Sequence, residues 1–237
     1  MNKEEVKKYI YEALAAGRQT LLAPEAKALV SAWGIPVPRS VLIKELEDIA
    51  TKAKEVHPPF VLKVVSHDIP HKTEVGGVAT DIMDKEEITG ALAKMKRNLA
   101  EKAPKARIKS FLLEEMAPKG VEVIIGGLRD PQFGPVVMFG IGGIAVELLK
   151  DVSFRLAPLK RKEVFEMMKE IKSYPLLRGF RGLKPVDMEE LASTIMKLSD
   201  IIVEIEEIKE IEINPLLVYE EGVVAVDAKV VLNSATK

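Results

Sequence analysis

The chain has 237 residues, 47% hydrophobic and 30% charged, which is enough apolar side chain for one large cored domain or two small ones and argues against intrinsic disorder. Lys and Arg total 35 against 36 Asp and Glu, a formal charge of −1 without the basic excess of a general nucleic-acid binder. There is no cysteine, which excludes disulfide scaffolds, thiolate zinc sites and cysteine nucleophiles, and only 3 histidines, too few for a histidine-rich metal centre.

The opening MNKEEVKKYIYEAL is charged and amphipathic and lacks the apolar core of a signal peptide. Asn2 with Glu5 forms a capping-box pattern for a first helix that Gly17 ends. Pro24 suits the first turn of a second helix, running through Leu29 and Val30 to Gly34. Leu46, Ile49, Ala53 and Val56 share a face of a short amphipathic helix. Strand-like runs follow at Phe60–Ser66 and Val75–Asp81, and Asp84 then caps a helix with Ile88, Leu92, Met95 and Leu99 on one side.

Further strands are expected at Ile108–Glu115, Val121–Leu128 and Val136–Phe139. The longest uncharged apolar stretch, Phe133 to Val146, is interrupted by Gly134, Pro135, Gly140, Gly142 and Gly143 and is too short to span a bilayer. No membrane association and a cytoplasmic location are expected. Val164, Met168 and Ile171 mark a helix. Asp187 caps a long one carrying Leu191, Ile195, Leu198, Ile202 and Ile205, and strands at Ile208–Val218 and Val223–Val230 close the chain. Abundant Lys, Glu, Ile and Val without thiols is a composition compatible with a thermophile.

This mixture is an α/β or α+β pattern without repeats or low-complexity linkers. From Pro24 to Ala106 it reads helix, strand, helix, strand, strand, helix; after residue 108 the strands are dense and antiparallel in character. The expected boundaries lie near residues 23 and 113. They give one subdomain over 24–113 and another over 1–23 and 114–237, with the first helix packing back on the second.

Four groups of residues could carry chemistry. Lys63 lies inside the apolar run Pro59–Val65, where an ammonium must snorkel or meet an anion; alone, an edge-strand lysine is the favoured reading. The polar loop after it, from Ser66 to Gly77, holds His67 and His71 and ends in Gly76-Gly77, residues that let backbone approach a phosphate closely. Singly these are a solvated histidine and a tight turn; with Lys63 upstream, a phosphate site is the better reading.

Glu114-Glu115-Met116 ends a strand and Glu122 follows the next turn, so backbone groups could meet a base and a carboxylate could take ribose hydroxyls; an acidic hairpin facing solvent fits equally. Phe139-Gly140-Ile141-Gly142-Gly143 lacks the spacing of a dinucleotide fingerprint and reads as Gly-rich bends between strands, with Glu147, Asp151 and Arg155 pairing at the surface. In the last group, alternation places Glu212 and Asn214 on one face of a strand, and Asp227 lies on the next strand after the turn at Glu220-Glu221-Gly222. Such oxygen donors suit Mg²⁺ bridging nucleotide phosphates, and Asn and Asp are poor choices in apolar strands without such a reason.

With these residues in place, the sequence resembles the ATP-grasp β subunit of the ADP-forming (NDP-forming) acetyl-CoA synthetases, relatives of succinyl-CoA synthetase, nearly end to end. His71-Lys72-Thr73-Glu74-Val75-Gly76-Gly77-Val78 is similar to that family's His-Lys-Ser-Asp-Val-Gly-Gly-Val, with conservative departures at Thr73 and Glu74. Glu212-Ile213-Asn214-Pro215-Leu216 with Asp227-Ala228-Lys229 resembles its metal hairpin.

The resemblance implies an α+β ATP-grasp fold of two subdomains with ATP or ADP bound between them. In it Lys63 holds phosphates, Glu114, Glu115 and Met116 meet adenine, Glu122 holds ribose, and Asn214 and Asp227 ligate Mg²⁺. Glu212 would support phosphohistidine chemistry at His71, which relays a phosphoryl group to and from a histidine on an α subunit. The expected partner is a separate CoA-binding α subunit, in an α2β2 heterotetramer. The implied reaction is acyl-CoA + ADP + phosphate ⇌ acid + ATP + CoA, an acid–thiol ligase acting on a small acid, CoA and phosphate. Two alternatives stay open at this point: a stand-alone ATP-grasp carboxylate ligase, which would not need His71, and a non-catalytic nucleotide-sensing module.

Overall fold

The first helix, α1 (Lys3–Ala15), starts where the sequence places it: Asn2 Oδ1 accepts the Glu5 N–H at 2.9 Å, and Glu5 Oε2 accepts the Asn2 N–H at 3.0 Å. Its buried face, Val6, Ile10 and Ala13, packs into the same core as Ala26, Leu29 and Val30 of α2 (Ala23–Ala32). In this computed structural model, residues 2–142, 151–179 and 184–233 are described. The chain divides into two units, Pro38–Pro118 and Met1–Val37 with Lys119–Lys237.

This division differs from the expected boundaries at residues 23 and 113. Residues 24–37 belong to the larger unit because α2, Trp33 and Ile35 are part of its core. The connection before α2 is also hydrogen-bonded to that unit's edge strand, with Leu21 N donating to Val230 O and Leu232 N to Gln19 O. Residues 114–118 stay with the smaller unit because its last strand runs through Glu115.

In the smaller unit the described strands form an antiparallel sheet of order β1-β4-β2-β3: β1 (Ser40–Ile43), β2 (Phe60–Val65), β3 (Val78–Ile82) and β4 (Ser110–Glu115). Helix α4 (Lys85–Lys102), capped by Asp84, lays Ile88, Leu92, Met95 and Leu99 on Phe60, Leu62, Val64, Phe111 and Leu113. The expected helix around Leu46–Val56 is fragmented. A single α turn, α3 (Ile49–Lys52), lies between 3₁₀ turns, yet it still buries Ile49, Ala53 and Val56. β3 begins at Val78, later than expected, because residues 72–76 form a turn.

In the larger unit the order is β10-β8-β5-β6-β7, with β9 also on β8. These strands are β5 (Val121–Asp130), β6 (Gly134–Ile141), β7 (Val152–Leu156), β8 (Ile208–Val218), β9 (Val223–Ala225) and β10 (Ala228–Leu232). Between β7 and β8 come α5 (Arg161–Glu170), the short α6 (Tyr174–Leu177) and α7 (Met188–Glu204). Alternate residues Val123, Ile125, Val137, Phe139, Ile211 and Ile213 share a core with Leu191, Ile195, Leu198 and Ile202 of α7.

Asp187 caps α7 through Glu190 N and also accepts Gly222 N at 2.8 Å, so the helix start is tied to the β8–β9 turn. Arg129 donates to the carbonyls of Ile202 and Ile205 at the other end of the helix.

Three readings around β6 and β7 change. Phe139–Ile141 lie inside β6 rather than in a bend. Gly140 is required by packing, since a Cβ there would meet Val152 Cγ1 at 2.8 Å and Asp151 O at 2.9 Å. Asp151 and Arg155 do not pair with each other. Asp151 is buried and accepts the N–H groups of Lys172 and Ser173, both at 2.7 Å, while Arg155 pairs with Glu170. Gly143 and Glu147 lie outside the described residues. Among the described residues, no helix is long and apolar enough to cross a membrane.

Candidate functional site

Lys63 is on β2, which lies between β4 and β3, so the edge-strand reading is excluded. Its side chain points to the sheet face opposite Phe60, Leu62 and Val64. There its ammonium meets Glu114 Oε2 at 2.7 Å. The register explains the match: Val61 is opposite Glu114 and Lys63 opposite Leu112, so the two charged side chains are diagonal neighbours on one face. Both are buried, at 8% and 1% exposure. The anion that the apolar run demands is therefore supplied within the sheet itself.

Glu114 and Glu115, expected to meet adenine, point to opposite faces and already have partners. Glu115 Oε1 accepts from His57 N at 3.1 Å and lies 2.9 Å from His57 Nδ1. The His57 ring, with its backbone N–H second, holds the Glu115 carboxyl below the usual carboxylate range. The Glu115 and Met116 N–H groups are donated to Arg39 O and Pro59 O. A base contact from this segment must therefore use groups other than those two donors.

His71 lies in the loop joining β2 to β3, and it is exposed. Both roots of the loop are fixed. At the first, Ser66 Oγ donates to Arg107 O at 2.8 Å and accepts from Asp68 N at 3.1 Å. Asp68 Oδ2 in turn accepts Arg107 N at 2.8 Å and Nε at 3.3 Å. Those bonds, the backbone N–H first, lower the Asp68 pKa. Ile69 is buried in the core of the unit.

At the second root, Gly77 N donates to Lys72 O at 2.7 Å and Val64 N to Gly77 O at 2.8 Å. Gly76 takes φ +68°, and a Cβ on Gly77 would lie 2.5 Å from Val64 Cγ1. The two glycines are thus accounted for by the turn and by close packing on β2, the plainer of the two readings the sequence allowed. His71 is left in the short exposed arc between these roots.

In the larger unit, Glu122 is exposed on β5, and its carbonyl accepts Gly142 N at 2.7 Å. The β8–β10 hairpin brings together the three oxygen-bearing residues expected there. Asn214 Nδ2 donates to Glu212 Oε1 at 3.2 Å, which shows the two on one face. Asn214 N donates to Asp227 O at 3.2 Å, and Ala228 pairs with Ile213, so Asp227 lies across from Asn214.

Asp227 also separates β9 from β10, where one strand over Val223–Val230 was expected, and Ala228 N donates to its Oδ1. With its amide nitrogen donating to Glu212, Asn214 keeps its amide oxygen as a potential donor, and backbone pairing sets it opposite Asp227; hard oxygens of this kind suit Mg²⁺. Among the described residues no group of three or more acidic or histidine side chains is placed to hold a metal ion.

Sequence reasoning missed His57 and the Asp68–Arg107 clamp. A loop histidine and an arginine 39 positions from its aspartate leave no local signal; only strand pairing joins them.

The ATP-grasp domain family matches residues 12–232. The β subunit of the ADP-forming acetate–CoA ligase I of Pyrococcus furiosus is 45% identical over 94% of this chain and 96% of its own length. The ADP-forming acetate–CoA ligase I of Archaeoglobus fulgidus is 38% identical over 98% of this chain, which spans only 34% of that longer protein. A solved structure of the acetyl-coenzyme A synthetase 1 of Ca. Korarchaeum cryptofilum with coenzyme A and Ca-AMPCP superposes with a TM-score of 0.94 at 44% identity, covering 96% of this chain and 99% of that one. Another structure of the same synthetase, with coenzyme A and Mg-AMPPCP, is described with its phosphohistidine segment pointing towards the nucleotide site; it has a TM-score of 0.85 at 42% identity, covering 96% of this chain and 100% of that one.

Proposed function

This chain belongs to the ATP-grasp family and to the β subunits of ADP-forming acetate–CoA ligases, and from that membership we propose that it is the nucleotide-binding subunit of an ADP-forming acyl-CoA synthetase. It makes ATP from ADP and phosphate, coupled to acyl-CoA cleavage, by phosphohistidine relay. A neutral imidazole is nucleophilic near pH 7. His71 takes the phosphoryl group from a partner phosphohistidine as that P–N bond breaks. It then yields the group to an oxygen of the ADP β-phosphate, forming P–O and freeing the imidazole.

Lys63 supplies positive charge for the phosphates, and Glu114 keeps its ammonium oriented. Asn214 and Asp227 hold Mg²⁺ with the nucleotide's oxygens. Glu212 orients Asn214 and supports the histidine chemistry. The segment Glu114–Met116 and Glu122 contact base and ribose. CoA and the acyl group are handled by an α subunit, in an α2β2 assembly.

What supports this reading is the placement of His71: a nucleophile in an exposed arc with both roots fixed suits a group that must visit two sites, and a stand-alone ligase has no use for it. The test is phosphate transfer from γ-labelled ATP in the presence of the α subunit. Acid-labile label on His71, with ATP synthesis lost in a normally folded His71→Ala, is expected. Near-wild-type ATP synthesis by His71→Ala would overturn the relay.

A further inference from the structure

We propose that the smaller unit carries a second ligand site, for a phosphorylated metabolite-sized molecule with an apolar or flat body. It is the cleft between the end of α4, the start of β4 and the end of β1. Its volume is about 440 Å³, within the usual range for small-molecule sites. Leu99, Ala103, Ala106, Ile108 and Phe111 give it an apolar lining, and Ile108 is 37% exposed there.

Lys44, Lys96 and Lys109 line the same cleft, against one carboxylate, Glu45. Among the described residues none of these three lysines has a carboxylate at ion-pair distance. Three ammonium groups and one carboxylate leave an excess of two positive charges, in a chain whose total is −1. That excess matches a phosphate dianion better than a single carboxylate. Lys96 is exposed, and its Nζ lies 5.8 Å from the centre of the Phe111 ring, within reach of the cleft's apolar lining.

Ser110 lines the cleft at 7% exposure. The cleft is separate from the Lys63–Glu114 pair: Ser110 and Glu114 are four positions apart on β4, about 13 Å along the strand.

Pyridoxal 5′-phosphate is a suitable probe, being a phosphate on a flat ring. Its aldehyde condenses with a lysine amine to an imine with loss of water, and borohydride fixes the adduct by adding hydride to the imine carbon. On the full chain, saturable labelling should concentrate on Lys44, Lys96 and Lys109. Ala100→Trp, at an exposed lining position, should fill the cleft and weaken labelling at least tenfold. In parallel, calorimetry with pyridoxine 5′-phosphate, which has no aldehyde, should show at least tenfold weaker binding for Lys44→Gln/Lys96→Gln/Lys109→Gln. Label spread evenly over the lysines, label centred on Lys63, or labelling and affinity unchanged in these variants would each overturn the proposal.

Discussion

Glu114→Ala should be among the most destabilising single substitutions in the smaller unit. At 2.7 Å the Lys63–Glu114 attraction is about 6 kcal/mol at an effective dielectric constant near 20, most of it offset by the desolvation of both groups. Removing Glu114 alone leaves the Lys63 ammonium without that partner at 8% exposure. The expected loss is about 3–5 kcal/mol, or roughly 6–20 °C in Tm for a chain of this length. Lys63→Ala should do the same from the other side, because Glu114 is buried to 1% exposure.

The double variant Lys63→Met/Glu114→Leu removes both charges together and should be more stable than either single alanine variant. Urea unfolding of the full chain, read by circular dichroism and closed as a double-mutant cycle, measures the coupling. A cost for Glu114→Ala below about 1 kcal/mol, or a double variant that loses the sum of the two singles, would refute the argument. Nucleotide affinity of the double variant, measured separately by calorimetry, reports the joint contribution of Lys63 and Glu114 to nucleotide binding.

Gly77→Ala should destabilise by about 1–3 kcal/mol and shift the His71 loop, because its Cβ would collide with Val64 Cγ1; thermal melts and loop proteolysis check this. Asp187→Ala should cost about 1–2 kcal/mol at neutral pH through the lost cap. The N–H groups of Glu190 and Gly222 hold the Asp187 carboxyl below its ordinary value of 3.8. Its stabilisation is therefore complete above that value and is lost as pH falls through the lower folded-state value, so wild type and variant should converge in acid melts. Asp227→Ala should abolish Mg-nucleotide binding by calorimetry while leaving the fold intact, and free Mg²⁺ should bind the wild-type chain far more weakly than Mg-nucleotide does. Retained Mg-nucleotide affinity in Asp227→Ala would remove it from the metal site.

Local chemistry was enough to place α1, α4 and α7: the capping residues Asn2, Asp84 and Asp187, and the apolar spacing in α4 and α7, specify starts and buried faces without reference to the rest of the chain. The same holds for the hairpin, where alternation alone puts Glu212 and Asn214 on one face and the turn returns Asp227 beside them. The octapeptide from His71 to Val78 likewise carries its family resemblance in residue identity, needing no geometry.

Pairing across the sheet could not be read this way. That Lys63 meets Glu114, that Glu115 meets His57, and that Arg107 clamps Asp68 depend on strand order β1-β4-β2-β3, which joins residues 39 to 58 positions apart. The purpose of Gly76 and Gly77 is also decided only in three dimensions, since a glycine that approaches a ligand and one that packs on Val64 look alike in sequence. The division of the chain at Pro38 rather than at residue 24 was likewise a tertiary decision. An amphipathic helix such as α2 specifies that it must bury a face, but only the available core decides which sheet receives it.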